Sequence, residues 1–347
     1  MSSVRLAVIG AGLMGTRHAR LIDAQESCEL VGVCDTDRGQ RNLAVELGVP
    51  FHESVDKILS CERPDGVIIA IPHAHNLQVV EQCAKASVHV LVEKPIAGEL
   101  AEAEAIVSVT RDAGVRTLVG HHRRYNPLIE EAKTVVRDGT IGRLVAVSML
   151  WTLYKPDDYF EVEWRSQPEG GGPTFINLIH ELDTLRFICG EVQRVYAESS
   201  SAARGFPVED SVSMTLTFES GALGSIVASD ATPAPWSYEA TTGENPLYFR
   251  TDESCYHFVG TRGSLGFPRM ELWRYPDGQP RGWQHPQEKS RRNVLATDPL
   301  VVQLKHFCRV VREEERPLID AADGTTSLRL ALAALESMKS GKPVDLS

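Results

Sequence analysis

Gly10-Ala11-Gly12-Leu13-Met14-Gly15 stands directly behind a short apolar run, Val4–Ile9, and opens a helical pattern. Glycines at this spacing allow a tight turn and a close approach of backbone to a pyrophosphate, which then rests on the N-terminus of the following helix. Asp35 closes the next apolar run, Leu30–Cys34. A carboxylate there accepts hydrogen bonds from adenosine ribose hydroxyls and repels a 2′-phosphate, and Asp37 adds a second negative charge. NAD is therefore expected as cofactor and NADP is disfavoured; Arg38 tempers the preference, because a guanidinium beside this turn can hold a phosphate. Lys94 follows the apolar run Val88–Val92, between Glu93 and Pro95. An ammonium at the C-terminal end of a parallel strand can hydrogen-bond a reacting hydroxyl and stabilise the developing alkoxide. His180 supplies a group that titrates near neutral pH and can take the hydroxyl proton. Asp183, three residues on, shares its helical face and is expected to orient or charge-stabilise the ring. These residue types suit removal of a hydride and a proton from a carbinol carbon.

The elements that must position them are legible in the hydrophobic pattern. Val4–Ile9, Leu30–Cys34, Gly66–Ile71, Val88–Val92 and Arg116–Val119 are near-continuous apolar runs, separated by helical patterns such as Asn76–Ala86 and Glu99–Ala113. Such runs imply a parallel sheet covered on both faces, an α/β Rossmann domain with a doubly wound sheet. Gly114 reads as a C-terminal cap. After about residue 122 the rhythm changes. Ile141–Leu150, Val192–Ser199, Ser211–Phe218, Leu223–Ser229 and the stretch Ser264–Tyr275 read as strands, with Ser220-Gly221 as a hairpin turn. One helix, Pro173–Cys189, stands among them, with Gly190 at its end. The expectation is a C-terminal α+β domain with a large, mostly antiparallel open sheet. Pro233–Asn245 reads as a surface loop, and helices close the chain over Pro299–Arg312 and Ala321–Ser340. The expected division is 1–121 for the dinucleotide-binding domain and 122–347 for a substrate and oligomerisation domain, with the last helix packing back on the first domain.

Composition narrows the function classes. The 347 residues suggest two domains, and 42% hydrophobic with 24% charged residues is ordinary for a globular protein. A formal net charge of −11 argues against nucleic acid or an anionic membrane as main partner. The seven cysteines are scattered without a CxxC pair, as expected of reduced thiols in the cytoplasm. Neither a signal peptide nor an apolar run of spanning length is visible. His73, His75 and the pair His121-His122 lack a clustered cysteine, and no metal is expected.

Three features in this order, the glycine motif, Glu93-Lys94-Pro95, and Gly170-Gly171-Gly172 leading into the helix of His180 and Asp183, resemble the Gfo/Idh/MocA oxidoreductase family over nearly the whole chain. The resemblance implies a two-domain fold, a nicotinamide cofactor, and sugars, polyols or their derivatives as substrates. It implies that the segment from Ile71 through Pro72 to His75 lines the adenosine and ribose side of the cofactor. Glu93, Lys94 and His122 fall beside the cofactor as well, with Arg124 near the substrate. One position departs from the family pattern: its usual acid four residues before the histidine is Ile176 here. Asn177 is the adjacent polar group, turned about 100° round an α-helix, and cannot act as a base. A Lys94–His180 pair is thus favoured over a Lys–Asp–His triad. Ahead of the triple glycine, Trp151, Tyr154, Lys155, Asp157, Asp158, Tyr159, Trp164 and Arg165 mix aromatics with charges of both signs, a composition suited to sugar recognition. Arg124, Lys155 and Arg165 offer the different possibility of a carboxylate clamp. The expected activity is hydride transfer between nicotinamide and a hydroxyl or carbonyl carbon of a sugar, polyol or related small molecule, carboxylated or not. Two alternatives are a redox-neutral enzyme that oxidises transiently with tightly held NAD, as in glycoside cleavage, and an inactive NAD-binding regulator. A homodimer or homotetramer through the C-terminal sheet is expected.

Overall fold

The computed structural model describes residues 3–168 and 170–346. They form two compact units: the chain up to Tyr125 with Asp298–Leu328, and Asn126–Thr297 with the chain from Arg329 onward.

The first unit alternates strand and helix: β1 (Val4–Ile9), α1 (Leu13–Asp23), β2 (Cys28–Cys34), α2 (Arg41–Glu46), β3 (Phe51–His52), α3 (Val55–Glu62), β4 (Gly66–Ile69), α4 (Asn76–Lys85), β5 (His89–Val92), α5 (Leu100–Asp112) and β6 (Thr117–Val119). The sheet order is β3-β2-β1-β4-β5-β6, and every pairing is parallel. Strands buried on both faces need apolar residues at consecutive positions, which is why Leu6, Ala7 and Val8 are all fully buried. β4 stops at Ile69, short of Ile71, where the chain turns into Pro72.

The second unit runs α6 (Pro127–Arg137), β7 (Leu144–Thr152), α7 (Ile179–Cys189), β8 (Val192–Ser200), β9 (Ser211–Phe218), β10 (Leu223–Ser229), α8 (Tyr238–Thr242), β11 (Tyr256–Gly260), β12 (Gly263–Phe267), β13 (Glu271–Arg274) and β14 (Glu288–Arg291). The closing elements are α9 (Pro299–Val311), α10 (Ala321–Ser340) and β15 (Val344–Asp345). Its nine strands follow the order β14-β13-β12-β11-β7-β10-β9-β8-β15, antiparallel except for the β7–β10 pair. β9 alternates buried and accessible residues, the pattern of a sheet covered on one face. α7 is buried along its length, Ile179 through Ile188.

Four expectations need correction. The division expected after residue 121 falls at Tyr125, and α9 with the first turns of α10 belongs to the first unit. The reason is packing: α9 buries Leu300, Leu304, Phe307 and Cys308, a helical stripe, and a Cβ on Gly66 of β4 would sit 3.1 Å from the Phe307 ring. Val119 of β6 donates its amide to the Ile319 carbonyl at 3.1 Å. Second, Pro233–Asn245 is not simply a surface loop. It carries α8, capped by the Ser237 side chain, with Ser237 and Tyr238 buried. Third, β11, which is not among the expected strands, pairs with β7 and β12. Fourth, the helix beginning at Pro173 opens with a π-helical turn, Thr174–Leu178, before α7. Such turns are rare and concentrate at functional sites.

Phe307→Ala is expected to destabilise the protein by about 3–5 kcal/mol, with amide exchange accelerating in β4. An unchanged thermal midpoint would contradict the placement of α9 on this sheet.

Candidate active site

The glycine motif lies between the C-terminal end of β1 and α1, and its three glycines answer to different demands. Gly10 has φ +90, and a Cβ there would meet the Ala70 carbonyl oxygen at 2.3 Å. A Cβ on Gly15 would lie 1.7 Å from the Gly10 carbonyl oxygen, so α1 can pack on the turn only through a glycine. Gly12 differs: nothing lies within 4 Å of its Cβ position, and its φ of −67 suits any residue. The protein itself leaves that space open. No side chain caps α1, and no acidic residue occupies its first turn. The leading amides and the positive end of the helix dipole thus suit an anion. Leu13 is exposed beside the turn and Met14 is half-buried.

Asp35 holds this turn in place. One carboxylate oxygen accepts the Ala11 amide at 2.7 Å and the other the Asp37 amide at 2.8 Å. A cavity of about 540 Å³ opens alongside, lined by Gly10, Gly12, Asp35, Ile71, Pro72 and His75 among others. Glu53 also lines it and pairs with Arg38 at 3.0 Å, so the arginine set against NAD selectivity is itself engaged by a carboxylate. A Cβ-free cradle at a helix N-terminus next to a carboxylate-lined cavity fits a dinucleotide.

Lys94 leaves β5 on the C-terminal edge of the same sheet. Its neighbour Glu93 is buried and receives a 2.7 Å hydrogen bond from Nε2 of His18, itself 1% exposed in α1. The other Glu93 oxygen accepts the Lys94 amide at 3.3 Å. Burial alone would push the Glu93 carboxyl up; the His18 hydrogen bond and the charges of His18, His122 and Lys94 outweigh it and hold the group below its ordinary range, as a carboxylate. A Cβ on Gly120 would meet that carboxylate at 2.8 Å. His18 was missed in the sequence, where a helical histidine eight residues past the first glycine carries no signal. His122 begins a 3₁₀ turn, His122–Tyr125. Within it Arg124 is buried and grips Asp323 through two hydrogen bonds of 2.5 and 3.2 Å. That fork is a carboxylate clamp already closed on a residue of the same chain.

The second unit carries the remaining sequence-predicted residues. His180, in the first turn of α7, is 8% exposed and Asp183 is 1% exposed, 4.0 Å from Arg186. The π-helical turn replaces the α-helical spacing assumed for Asn177, whose side-chain oxygen accepts the Lys155 ammonium at 2.8 Å. Arg165 lies over the Tyr159 ring at 4.1 Å. Tyr154 and Trp164 are about half exposed, at 52% and 53%, and Tyr154 bonds Asp157 at 3.3 Å. The triple glycine serves this segment. A Cβ on Gly171 would strike the Arg165 and Gln167 carbonyls at 2.6 Å, and one on Gly172 would strike the Glu209 carboxylate at 2.6 Å. Among the described residues no cluster of three or more His, Cys, Asp or Glu side chains could hold a metal, and no helix is long and apolar enough to cross a membrane.

Fold and site together define a dinucleotide-binding oxidoreductase with a separate α+β unit. The family model described as an oxidoreductase family with an NAD-binding Rossmann fold matches residues 4–121, and that of the Gfo/Idh/MocA C-terminal domain matches 129–266. The chain belongs to the Gfo/Idh/MocA family. It is 26% identical to the myo-inositol 2-dehydrogenase of Thermotoga maritima over 99% of this chain and 98% of that protein. It is equally 26% identical to the D-apiose dehydrogenase of Paraburkholderia graminis, over 98% and 89%. An Agrobacterium radiobacter oxidoreductase solved with NAD+, L-tartaric acid and magnesium superposes with a TM-score of 0.84 at 20% identity, covering 99% of this chain and 98% of that one.

Gly12→Ala is expected to leave folding stability within about 0.5 kcal/mol of the parent while weakening NAD binding by about tenfold or more. Gly15→Ala is expected to lower stability itself, by more than about 1 kcal/mol. Calorimetry and an NADH fluorescence titration read both; equal effects of the two on folding would contradict the open space at Gly12.

Proposed function

We propose that this protein is an NAD-dependent dehydrogenase that moves a hydride between the nicotinamide ring and a CH–OH carbon of a sugar or polyol. The observation that carries the reading is the shared edge. The sheet order puts β1 and β5 on either side of β4, so the glycine turn and Lys94 both leave the C-terminal edge of the parallel sheet, one strand apart. Ligands of doubly wound sheets bind at this edge. The names of the relatives, inositol and apiose dehydrogenases, support the substrate class.

The dinucleotide, when bound, supplies the hydride acceptor. Gly10, Gly12 and Gly15 shape the turn for its pyrophosphate, and Asp35 receives the ribose hydroxyls. Asp35 and Glu53 make the adenosine side acidic, which disfavours a 2′-phosphate and selects NAD. Lys94, anchored through the Glu93 carboxylate, hydrogen-bonds the reacting hydroxyl and stabilises the alkoxide oxygen as hydride departs. His180 accepts the hydroxyl proton and returns it in the reverse direction. Asp183 stands three residues along the same helix to favour the charged imidazole. The remaining polar group of the π-helical turn, Asn177, orients rather than exchanges protons. The absence of an acid at Ile176 leaves Lys94 and His180 as the pair that carries the chemistry.

Lys94→Ala is expected to lower turnover about 100-fold or more while changing NAD affinity far less; undiminished turnover would remove Lys94 from the mechanism. Asp35→Ser is expected to weaken NAD binding and to narrow its advantage over NADP. A parent protein that binds NADP more tightly than NAD would overturn the selectivity.

A further inference from the structure

Hydride transfer through Lys94 and His180 leaves a second set of charges in the second unit unused. Lys155 follows β7 and is 7% exposed, rare for a lysine. Of its three N–H donors, one goes to Asn177 Oδ1 at 2.8 Å and another faces Asp230 Oδ2 at 3.2 Å. Asp230 is not Lys155's alone, because its other oxygen accepts from Arg204 Nε at 3.0 Å. One carboxylate thus serves two buried cations. Of the other acids nearby, the exposed Asp157 lies 3.8 Å from Arg204, Glu239 accepts the Trp151 indole at 3.0 Å while its charge still favours the Lys155 ammonium, and Asp210 accepts the backbone amides of Ala203 and Arg204.

A third cation joins from the loop ahead of the triple glycine. Arg165 lies over the Tyr159 ring at 4.1 Å, and the Lys155 ammonium sits 4.7 Å from the centre of the same ring. Arg165 gives one N–H to the Tyr159 carbonyl at 2.8 Å, and among the described residues no carboxylate lies within ion-pair distance of it. Backbone hydrogen bonds tie its loop to the triple glycine. Gly171 and Gly172 donate their amides to the Gln167 and Arg165 carbonyls, and Glu209 accepts the Thr174 amide at 2.9 Å. Burial makes the Lys155 ammonium easier to deprotonate than an ordinary lysine, with Asp230 opposing. A further anion brought to it would stabilise the charged form. Tyr159, Arg165 and Asn177 are each partly accessible, so the cluster is not sealed.

We infer that Lys155 and Arg165, gathered on the ring of Tyr159, bind a carboxylate of the substrate, so that the protein selects polyhydroxy acids over neutral polyols. Asn177 is the positioning residue that aims the Lys155 ammonium. This substrate class rests on the hydride-transfer reading above, but the anion pair makes its own measurable claim.

The test uses the full chain with NAD and matched probes, D-gluconate against D-glucitol and D-galacturonate against D-galactose. NADH formation is followed, and binding of each probe to the NADH-bound protein is measured separately by calorimetry. Acids are expected to exceed their neutral partners by about 100-fold in kcat/KM, and Arg165→Gln and Lys155→Met to reduce that ratio by about 10- to 100-fold each. Lys155→Arg, which keeps the charge over Asp230, is expected to restore part of the ratio where Lys155→Met perturbs folding. Acids that bind through Lys155 and Arg165 without NADH appearing would uphold the anion pair and sink the redox reading. Equal handling of acids and neutral polyols, equal losses on both in the variants, or failure of every acid to bind would overturn the inference.

Discussion

A carboxylate buried at the end of a strand persists only if its oxygens are occupied, and in this protein that requirement ties the dinucleotide turn to Lys94. His18 projects from α1, whose N-terminus forms the glycine turn, and hydrogen-bonds Glu93, the residue immediately before Lys94. Removing one partner of such a buried pair typically costs roughly 3–5 kcal/mol, because the other is left without compensation. The consequence is mechanical as well as energetic. The helix that would receive the pyrophosphate and the turn that carries Lys94 are joined by this one buried hydrogen bond. Gly120 must lack a side chain so that the Glu93 carboxylate fits beside it.

The sequence displayed the parallel-sheet half clearly, because strands buried on both faces must be apolar at every position and their turns must spare room for backbone. Even the distinct roles of the motif glycines follow from that geometry. Other features were hidden by distance along the chain. His18 finds Glu93 across 75 positions and Arg124 finds Asp323 across 199, pairings no local pattern announces. Arg124 therefore read as a substrate clamp although an internal aspartate closes its fork. The π-helical turn was invisible for another reason: a 3.6-residue period cannot register one inserted residue, so Asn177 was placed on the wrong bearing. β3, two residues long, is too short to show a period. Pro233–Asn245 has the composition of a loop, yet Ser237 caps a helix whose Tyr238 fills the core.

The two units hold the candidate site residues by different kinds of backbone. The first uses turns at strand ends, where main-chain amides and a single lysine are presented with little side-chain freedom. The second uses side chains that have to be held individually: His180 in a helix buried along its length, Asn177 in a π-helical turn, Arg165 in a loop clamped by glycine contacts. Ile176 puts no charge into that set, and the buried Lys155 enters it paired with an aspartate that it shares with Arg204.

The most direct measurement is the fate of a single hydrogen. The protein is turned over with NAD and a polyhydroxy compound carrying deuterium on its carbinol carbons, and the isolated NADH is weighed by mass spectrometry. Direct hydride transfer predicts one deuterium per NADH, on one face of the nicotinamide ring, with none acquired from solvent when the labels are reversed. NADH that takes its hydrogen from heavy water, or consumption of the substrate with no label reaching the nicotinamide, would contradict the assignment.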